Sequence, residues 1–300
     1  MTASYAVRVL SRDGHYPAKP LIIDDIGVLA ADGVVWSAVR LSDVGVKYST
    51  TSNRLGAPTG EISWLLPEEI RFFAAVSLAE AHPFGNGRIR VVTRDWYREL
   101  ELEEHITPAE LLDRSRGVAL ETFQHLEQLR DEEHYVPNEP DSGCPPERLR
   151  RDYTARTRKL LERMDVNDAL LHRGLYKFLM ATELRHHPKF LEESMLAALI
   201  SREAALELLR RKLSTEARQR LKYEDVLYHI ADTFPTGEPL AGVLESDWDA
   251  RLAIAHPVSI HGEHWSPPVE AGECMEALHT LTYLYRYVLL GEIWKPGEHD

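Results

Sequence analysis

Between Val136 and Pro146 the chain reads Val-Pro-Asn-Glu-Pro-Asp-Ser-Gly-Cys-Pro-Pro, and the hydrophobic pattern on its two sides differs. Each proline fixes φ and removes an N–H donor, so this stretch enters neither a helix interior nor a central strand and reads as a linker or exposed loop. Upstream, apolar residues alternate with a period of two; downstream they recur at helical spacing. At 300 residues the chain is also long for a single core. The expected class is therefore α+β, with a small β-containing N-terminal module over 1–135, a linker over 136–146 and a mainly α-helical domain over 147–300.

Within the first part, Tyr5–Leu10 and Gly33–Leu41 carry β-branched and aromatic residues, set off by Arg-Asp-Gly and Ala-Asp-Gly turns. Pro67-Glu-Glu-Ile has the composition of a helix start, while Arg71–Ala79 fits a helix or a strand. Arg88–Trp96 alternates polar and apolar residues and is expected to be a strand. Thr107-Pro-Ala-Glu is a capping-box pattern that opens a helix carrying Leu111, Leu112, Val118, Phe123, Leu126 and Leu129 and ending before Tyr135. Beyond the linker, helices are expected over Glu147–Met164, Asn167–His186, Pro188–Leu213, Lys222–Thr233, a short piece around Asp247–Ala255, and Ala271–Leu290. The last places Cys274, Leu278, Leu281, Tyr285 and Val288 on one stripe, as a core-facing helix requires.

The function classes narrow on charge and on what the chain lacks. Its net charge of −13 argues against a protein that coats nucleic acid, because such affinity comes from neutralising Lys and Arg. Two basic stretches run against that balance: Arg148, Arg150, Arg151, Arg156, Arg158, Lys159 and Arg163, and then Arg210, Arg211, Lys212, Arg218, Arg220 and Lys222. Both are interleaved with apolar residues at helical spacing and fit solvated helix faces. Cys144 and Cys274 are too few for a disulfide framework and are expected to be reduced thiols. No run of about 18 apolar residues occurs and the N-terminus lacks a signal-peptide layout, so the expectation is a cytoplasmic protein without membrane attachment. No Gly-x-Gly-x-x-Gly, Walker-type loop or Gly-x-Ser-x-Gly is present, and no cofactor is implied.

Three groups of residues could carry chemistry. In Asp249-Ala-Arg-Leu-Ala-Ile-Ala-His-Pro257, Arg251 and His256 stand five positions apart, just before a proline that ends a helix. An imidazole that exchanges protons near neutral pH, beside a guanidinium that holds a phosphate, is what cleavage of an RNA backbone needs. With 14 His in the chain, about one such spacing arises by chance, and the pair also fits a helix cap partnered by Asp247 or Asp249. His82-Pro-Phe-Gly-Asn-Gly-Arg88 resembles the signature of the Fic family of AMP-transferring enzymes, but lacks two intervening residues, among them the acidic metal holder. Phe84-Gly-Asn-Gly87 is expected to be a tight turn, because Asn-Gly supplies the positive φ that hairpins need. His186, His187, His256, His261 and His264 could be read as metal ligands, but no His-x-x-x-His falls on a clear helix, and no metal site is expected.

From about Asp165 to Trp294 the chain resembles the HEPN superfamily of helical-bundle domains. The resemblance lies in Gly174-Leu-Tyr-Lys-Phe-Leu-Met-Ala181 leading into Lys189-Phe-Leu-Glu-Glu-Ser-Met-Leu196, then the Arg-x4-His element, then Leu281-Thr-Tyr-Leu-Tyr-Arg-Tyr-Val-Leu-Leu-Gly291. It implies an antiparallel four-helix-type bundle, commonly a homodimer, in which the Arg and His of two subunits share a cleft. In active members the pair cleaves RNA without metal, which would make His256 the general acid or base and Arg251 the stabiliser of the phosphate. Leu252 departs from the polar residue that many active members carry there. The implied function is a bacterial RNase of toxin, antiphage or stress-response type, with RNA as substrate and an antitoxin or other protein as partner. The alternatives are a catalytically silent HEPN-fold module for association or sensing and, more distantly, nucleotidyl transfer at His82.

Overall fold

The computed structural model describes residues 2–11, 27–31, 34–41, 51–52, 58–61, 65–79, 96–132, 154–165, 167–185, 187–234, 242, 244 and 269–293. The chain divides into two compact units, one made of Met1–Val76 and Gly87–Arg158, the other of Ser77–Asn86 and Lys159–Asp300. The first is α+β and the second is helical among the described residues.

The first unit is built on a six-stranded antiparallel sheet in the order β2-β3-β1-β6-β5-β4. Its strands are β1 (Thr2–Ser11), β2 (Gly27–Ala31), β3 (Val34–Arg40), β4 (Thr51–Ser52), β5 (Pro58–Glu61) and β6 (Trp96–Glu103). In β1 every residue from Tyr5 to Leu10 is buried, as a central strand covered on both faces must be. One set of alternate residues, Tyr5, Val7 and Val9 with Trp36 and Ala38, packs on helix α2 (Pro108–Glu132) through Leu111 and Ala119. There the Trp36 indole donates to Ser115 Oγ at 3.1 Å. The other set brings Arg8 and Ser37 to helix α1 (Pro67–Ala79), where both donate to Glu69. Opposite β1 on its other side, Leu100 and Leu102 of β6 pair with Tyr5 and Ala3 and add to the α2-facing core.

Both helices start as their sequences prescribe. The Thr107 N–H donates to Glu110 Oε2 at 3.0 Å and the Glu110 N–H donates to Thr107 Oγ1 at 3.3 Å, a reciprocal cap. The Thr107 hydroxyl, donating to Glu110 Oε2 at 2.7 Å, and then the Thr107 N–H hold the Glu110 carboxyl below its usual range. In α1, Pro67 occupies the first turn and Glu69 accepts the Leu66 N–H at 2.9 Å. Phe72, Phe73, Ala74, Ala75, Val76, Leu78 and Ala79 are all buried, so α1 is apolar almost all round.

The second unit centres on helix α5 (Leu191–Ala217), which packs against α4 (Ala169–Leu184), α6 (Tyr223–Thr233) and α7 (Ala271–Leu290). Helix α3 (Thr154–Arg163) precedes them, burying Leu160, Leu161 and Met164. Asp168 caps α4 by accepting from the N–H groups of Leu170 and Leu171 at 3.0 and 3.1 Å. A 3₁₀ turn at Pro188–Phe190 reverses the chain into α5. The α4/α5 register is fixed by two serines one heptad apart. Ser194 Oγ donates to the Ala181 carbonyl at 2.8 Å and Ser201 Oγ to the Gly174 carbonyl at 2.7 Å, so both helices advance seven residues between bonds. Such close approach needs small residues, and Gly174, Ala181, Ala197, Ala198, Ala204 and Ala205 supply them in the core.

Helix α7 closes the bundle on the stripe its sequence announces, with Cys274, Leu278, Leu281 and Tyr285 fully buried. Tyr285 donates to the Ser201 carbonyl at 3.0 Å and lies 3.0 Å from Ser201 Oγ, which makes Ser201, Gly174 and Tyr285 one polar knot in an apolar core. Gly291, at φ +71°, ends α7 with its N–H on the Tyr287 carbonyl. Helix α5 ends on a left-handed residue too, but there it is Arg218, at φ +54°. A side chain in that conformation costs about 1 kcal/mol that glycine does not.

Candidate functional site

Arg251 and His256 lie outside the described residues, as do the His82–Arg88 motif, Cys144, His186, His261 and His264. Described residues flank the stretch that carries the Arg-x4-His element. Before it, Phe234 is buried, with its ring edge-on to Tyr287 at 5.0 Å between centroids. After it, Val269 packs with Leu191 and Ala277 on the cluster of Met195, Leu199 and Cys274. Leu244, within the connecting segment, is buried as well. Cys274 and Tyr287 are thirteen positions apart on α7, or about 20 Å at 1.5 Å per residue. The described flanks of this stretch, Phe234 and Val269, thus pack toward the two ends of the last helix.

Beside Phe234, α5, α6 and α7 converge on Tyr287. Its hydroxyl is 2.7 Å from His229 Nε2, and Thr233 Oγ1 is 3.4 Å from the same nitrogen. Burial, followed by the nearby Glu216 charge, pushes the Tyr287 hydroxyl above its usual range. The hydroxyl therefore keeps its proton, which is available to the His229 ring nitrogen. Lys212 reaches the carbonyls of Tyr287 and Val288 at 3.4 and 3.3 Å, and its ammonium stands 5.4 Å from the Tyr287 ring centre. A cation at the last carbonyls of a helix meets the negative end of its dipole. These contacts hold α6 and α5 to the end of α7.

A second polar group lies one and two turns earlier on α7, on the stripe that leads to Tyr287. His279 Nε2 and the Tyr283 hydroxyl, one helical turn apart, are hydrogen-bonded. Burial depresses the His279 pKa, with Arg286 adding to it, and burial pushes Tyr283 up to about 12. His279 is thus biased toward the neutral form. Arg286 donates through Nε to the Leu78 carbonyl at 2.5 Å, occupying one of the carbonyls that the last turn of α1 leaves unmatched. The His279/Tyr283 spacing was legible as an i, i+4 pair on a helix; the His229/Tyr287 contact joins residues 58 positions apart and had no local signal.

His187, the one described member of the histidine groups weighed as metal ligands, sits at a helix end. Its N–H is on the Leu184 carbonyl at 2.9 Å and its ring is edge-on to Phe190. Among the described residues, no three His, Cys, Asp or Glu side chains are grouped to hold a metal ion. Cys274 is a free, buried thiol that donates to the Leu191 carbonyl at 3.3 Å, and burial pushes its pKa up, away from nucleophilic use. No described helix is long and apolar enough to cross a membrane. In the first basic stretch Lys159 pairs weakly with Glu292 at 3.8 Å. In the second, Arg210 and Arg211 both bind Glu207, and hydrogen bonds from Arg210 lead the influences that hold the Glu207 carboxyl low. Comparison of the chain with protein-family models, with curated proteins and with solved structures finds no match.

Proposed function

We propose that the second unit is a HEPN-like bundle that cleaves RNA without a metal ion, through Arg251 and His256. The observation that supports this most is the order of elements: a long antiparallel pair, α4 and α5, then α6, then the stretch with the Arg-x4-His element, whose described flanks Phe234 and Val269 pack on one final amphipathic helix, α7. His256 would take the proton from the 2′-hydroxyl or give one to the leaving oxygen, and Arg251 would offset the charge that builds on the phosphate. In the superfamily layout the cleft is shared by two subunits, so the working form would be a homodimer.

The test compares wild type, Arg251→Ala and His256→Ala on total RNA in EDTA, beside circular dichroism and size-exclusion chromatography. Each substitution is expected to lower cleavage by about a hundredfold or more while leaving helical content and assembly state unchanged. A net charge of −13 and Leu252 beside the Arg favour a second reading, a bundle used for association or sensing. Equal RNA loss in wild type and variants, or none in any, would select that reading.

A further inference from the structure

The turn between α5 and α6 is held rigidly by its backbone while its cations stay unused. Over 218–222 the chain reads Arg-Gln-Arg-Leu-Lys. The N–H groups of Arg218 and Gln219 return to the Thr215 and Ser214 carbonyls. The Leu221 N–H donates to Ser214 Oγ at 3.1 Å, the Leu221 carbonyl accepts from Arg210 at 3.1 Å, and the Lys222 N–H donates to Asp225 at 2.7 Å. The side chains of Arg218, Arg220 and Lys222 are exposed, and among the described residues none of the three makes an ion pair or hydrogen bond. Their neighbours in sequence differ: Arg210 and Arg211 are taken by Glu207, and Lys212 by the end of α7. Arg218 also stands in a left-handed conformation that glycine or asparagine would adopt with less strain. The fold itself gains little from an arginine there beyond the dipole of α5.

We propose that this turn is a binding surface for the phosphate backbone of single-stranded RNA. Two guanidinium forks and an ammonium on a pre-ordered backbone suit phosphate oxygens, and no loop need be ordered on binding. The three charges span at most about 14 Å of chain, so a flexible strand can fold successive phosphates onto them, whereas duplex readers of RNA spread over about 16 base pairs. A lipid surface fits less well, because Gln219 is polar and Leu221 is half-buried in the fold, and the one exposed ring beside the turn, Tyr223, offers a face on which a base of a single strand can stack. The acids Glu216 and Glu224 flank the turn and limit the surface to a weak, salt-sensitive one. The choice of RNA among polyanions rests on the RNase reading; the binding does not need cleavage.

The experiment measures fluorescence anisotropy of a labelled oligo-uridine with the full chain carrying His256→Ala, in EDTA, over a range of KCl concentration. Three phosphates neutralised on a single strand give a log–log salt slope of about −2, so a threefold rise in KCl weakens binding about tenfold. The triple variant Arg218→Glu/Arg220→Glu/Lys222→Glu is expected to bind at least about tenfold more weakly and to lose that slope. The same charge change on α3, Arg158→Glu/Lys159→Glu/Arg163→Glu, is expected to have a smaller effect. Arg218→Gly separates binding from structure: its melting point is expected to hold or rise while affinity falls. Absence of binding by the parent protein, equal effects of the two triple variants, or equal displacement of the RNA by polyglutamate or phosphatidylserine vesicles would overturn the proposal. Turn-dependent binding by a wild-type protein that does not cleave RNA would keep this inference and sink the RNase reading; cleavage that the turn variants leave unchanged, with unchanged binding, would do the reverse.

Discussion

Adding one methyl group at Gly174 tests the account of the bundle most directly. In an ordinary helix interior, Gly→Ala stabilises by about 0.5–1 kcal/mol because alanine loses less chain entropy. At Gly174 the new Cβ would overlap the Tyr285 hydroxyl and stand 2.8 Å from Ala204 Cβ. Tyr285 is fully buried and donates to the Ser201 carbonyl, so it cannot move aside without opening the polar knot. Overpacking costs about 1–3 kcal/mol, and each buried hydrogen bond lost adds about 1 kcal/mol. After subtracting the intrinsic gain, Gly174→Ala should destabilise the helical unit by about 2–4 kcal/mol. For a unit of this size that is a drop of about 5–15 °C in the thermal midpoint, read by helical circular dichroism. Tyr285→Phe removes the oxygen in the way, so Gly174→Ala/Tyr285→Phe should be more stable than the sum of the two single effects implies. A Gly174→Ala protein as stable as wild type, or strictly additive single effects, would refute the packing argument.

Gly117 of α2 is the control, because a Cβ there meets nothing within 4 Å; Gly117→Ala should raise stability by about 0.5–1 kcal/mol, and a lowered midpoint would count against the described helix face. In the sheet unit, Glu69 is fully buried, and desolvation raises its carboxyl pKa against the opposing pull of Arg8. A raised carboxyl contributes most stability below its unfolded value of 4.5 and loses it as pH climbs through the folded value. Arg8→Met removes the opposing pull, so it should cost about 3–5 kcal/mol at pH 8 and clearly less at pH 4, below the unfolded value, where the raised Glu69 carboxyl holds a proton. Denaturant titrations followed by tryptophan fluorescence at the two pH values check this, and an equal or larger cost at pH 4 would contradict it.

The elements legible in the sequence were those whose signal is local. Thr107 and Glu110 announced α2, Pro67 announced α1, and the Cys274–Tyr285 stripe gave α7 its span and buried face. Arg71–Ala79 fitted both a helix and a strand because α1 is buried almost all round, which erases the period that separates them. The strand β6 begins at Trp96, where the expected strand ends, and residues 88–95 lie outside the described residues. Its run Glu99–Glu103 consists of helix-favouring Glu and Leu, yet it alternates strictly, and pairing with β1 decides the outcome. Helix α5 runs four residues past the expected Leu213 because its stop is Arg218, not a glycine or proline. The proposed site was legible only as a spacing and lies outside the described residues, while the contacts that order the bundle, such as Tyr287 with His229 and Tyr285 with Ser201, join residues 58 and 84 positions apart and leave no local signal.

Those distant contacts also fix the register of the bundle. Ser194 and Ser201 repeat every seven residues on α5, and their acceptors, Ala181 and Gly174, repeat every seven on α4, so sliding one helix past the other by a turn breaks both bonds at once. Each buried hydroxyl left without a partner costs about 1–3 kcal/mol, which makes the slipped states expensive and the observed register singular. Tyr285 reads that register, because its hydroxyl meets Ser201 at the level of Gly174, and α7 is thereby held at one height along α5. The same knot sets the height of Tyr287, two residues further on, against which Phe234 packs, and of Cys274, eleven residues earlier, against whose cluster Val269 packs. Phe234 and Val269 flank the stretch that carries Arg251 and His256, so opening the knot is expected to disturb both flanks together.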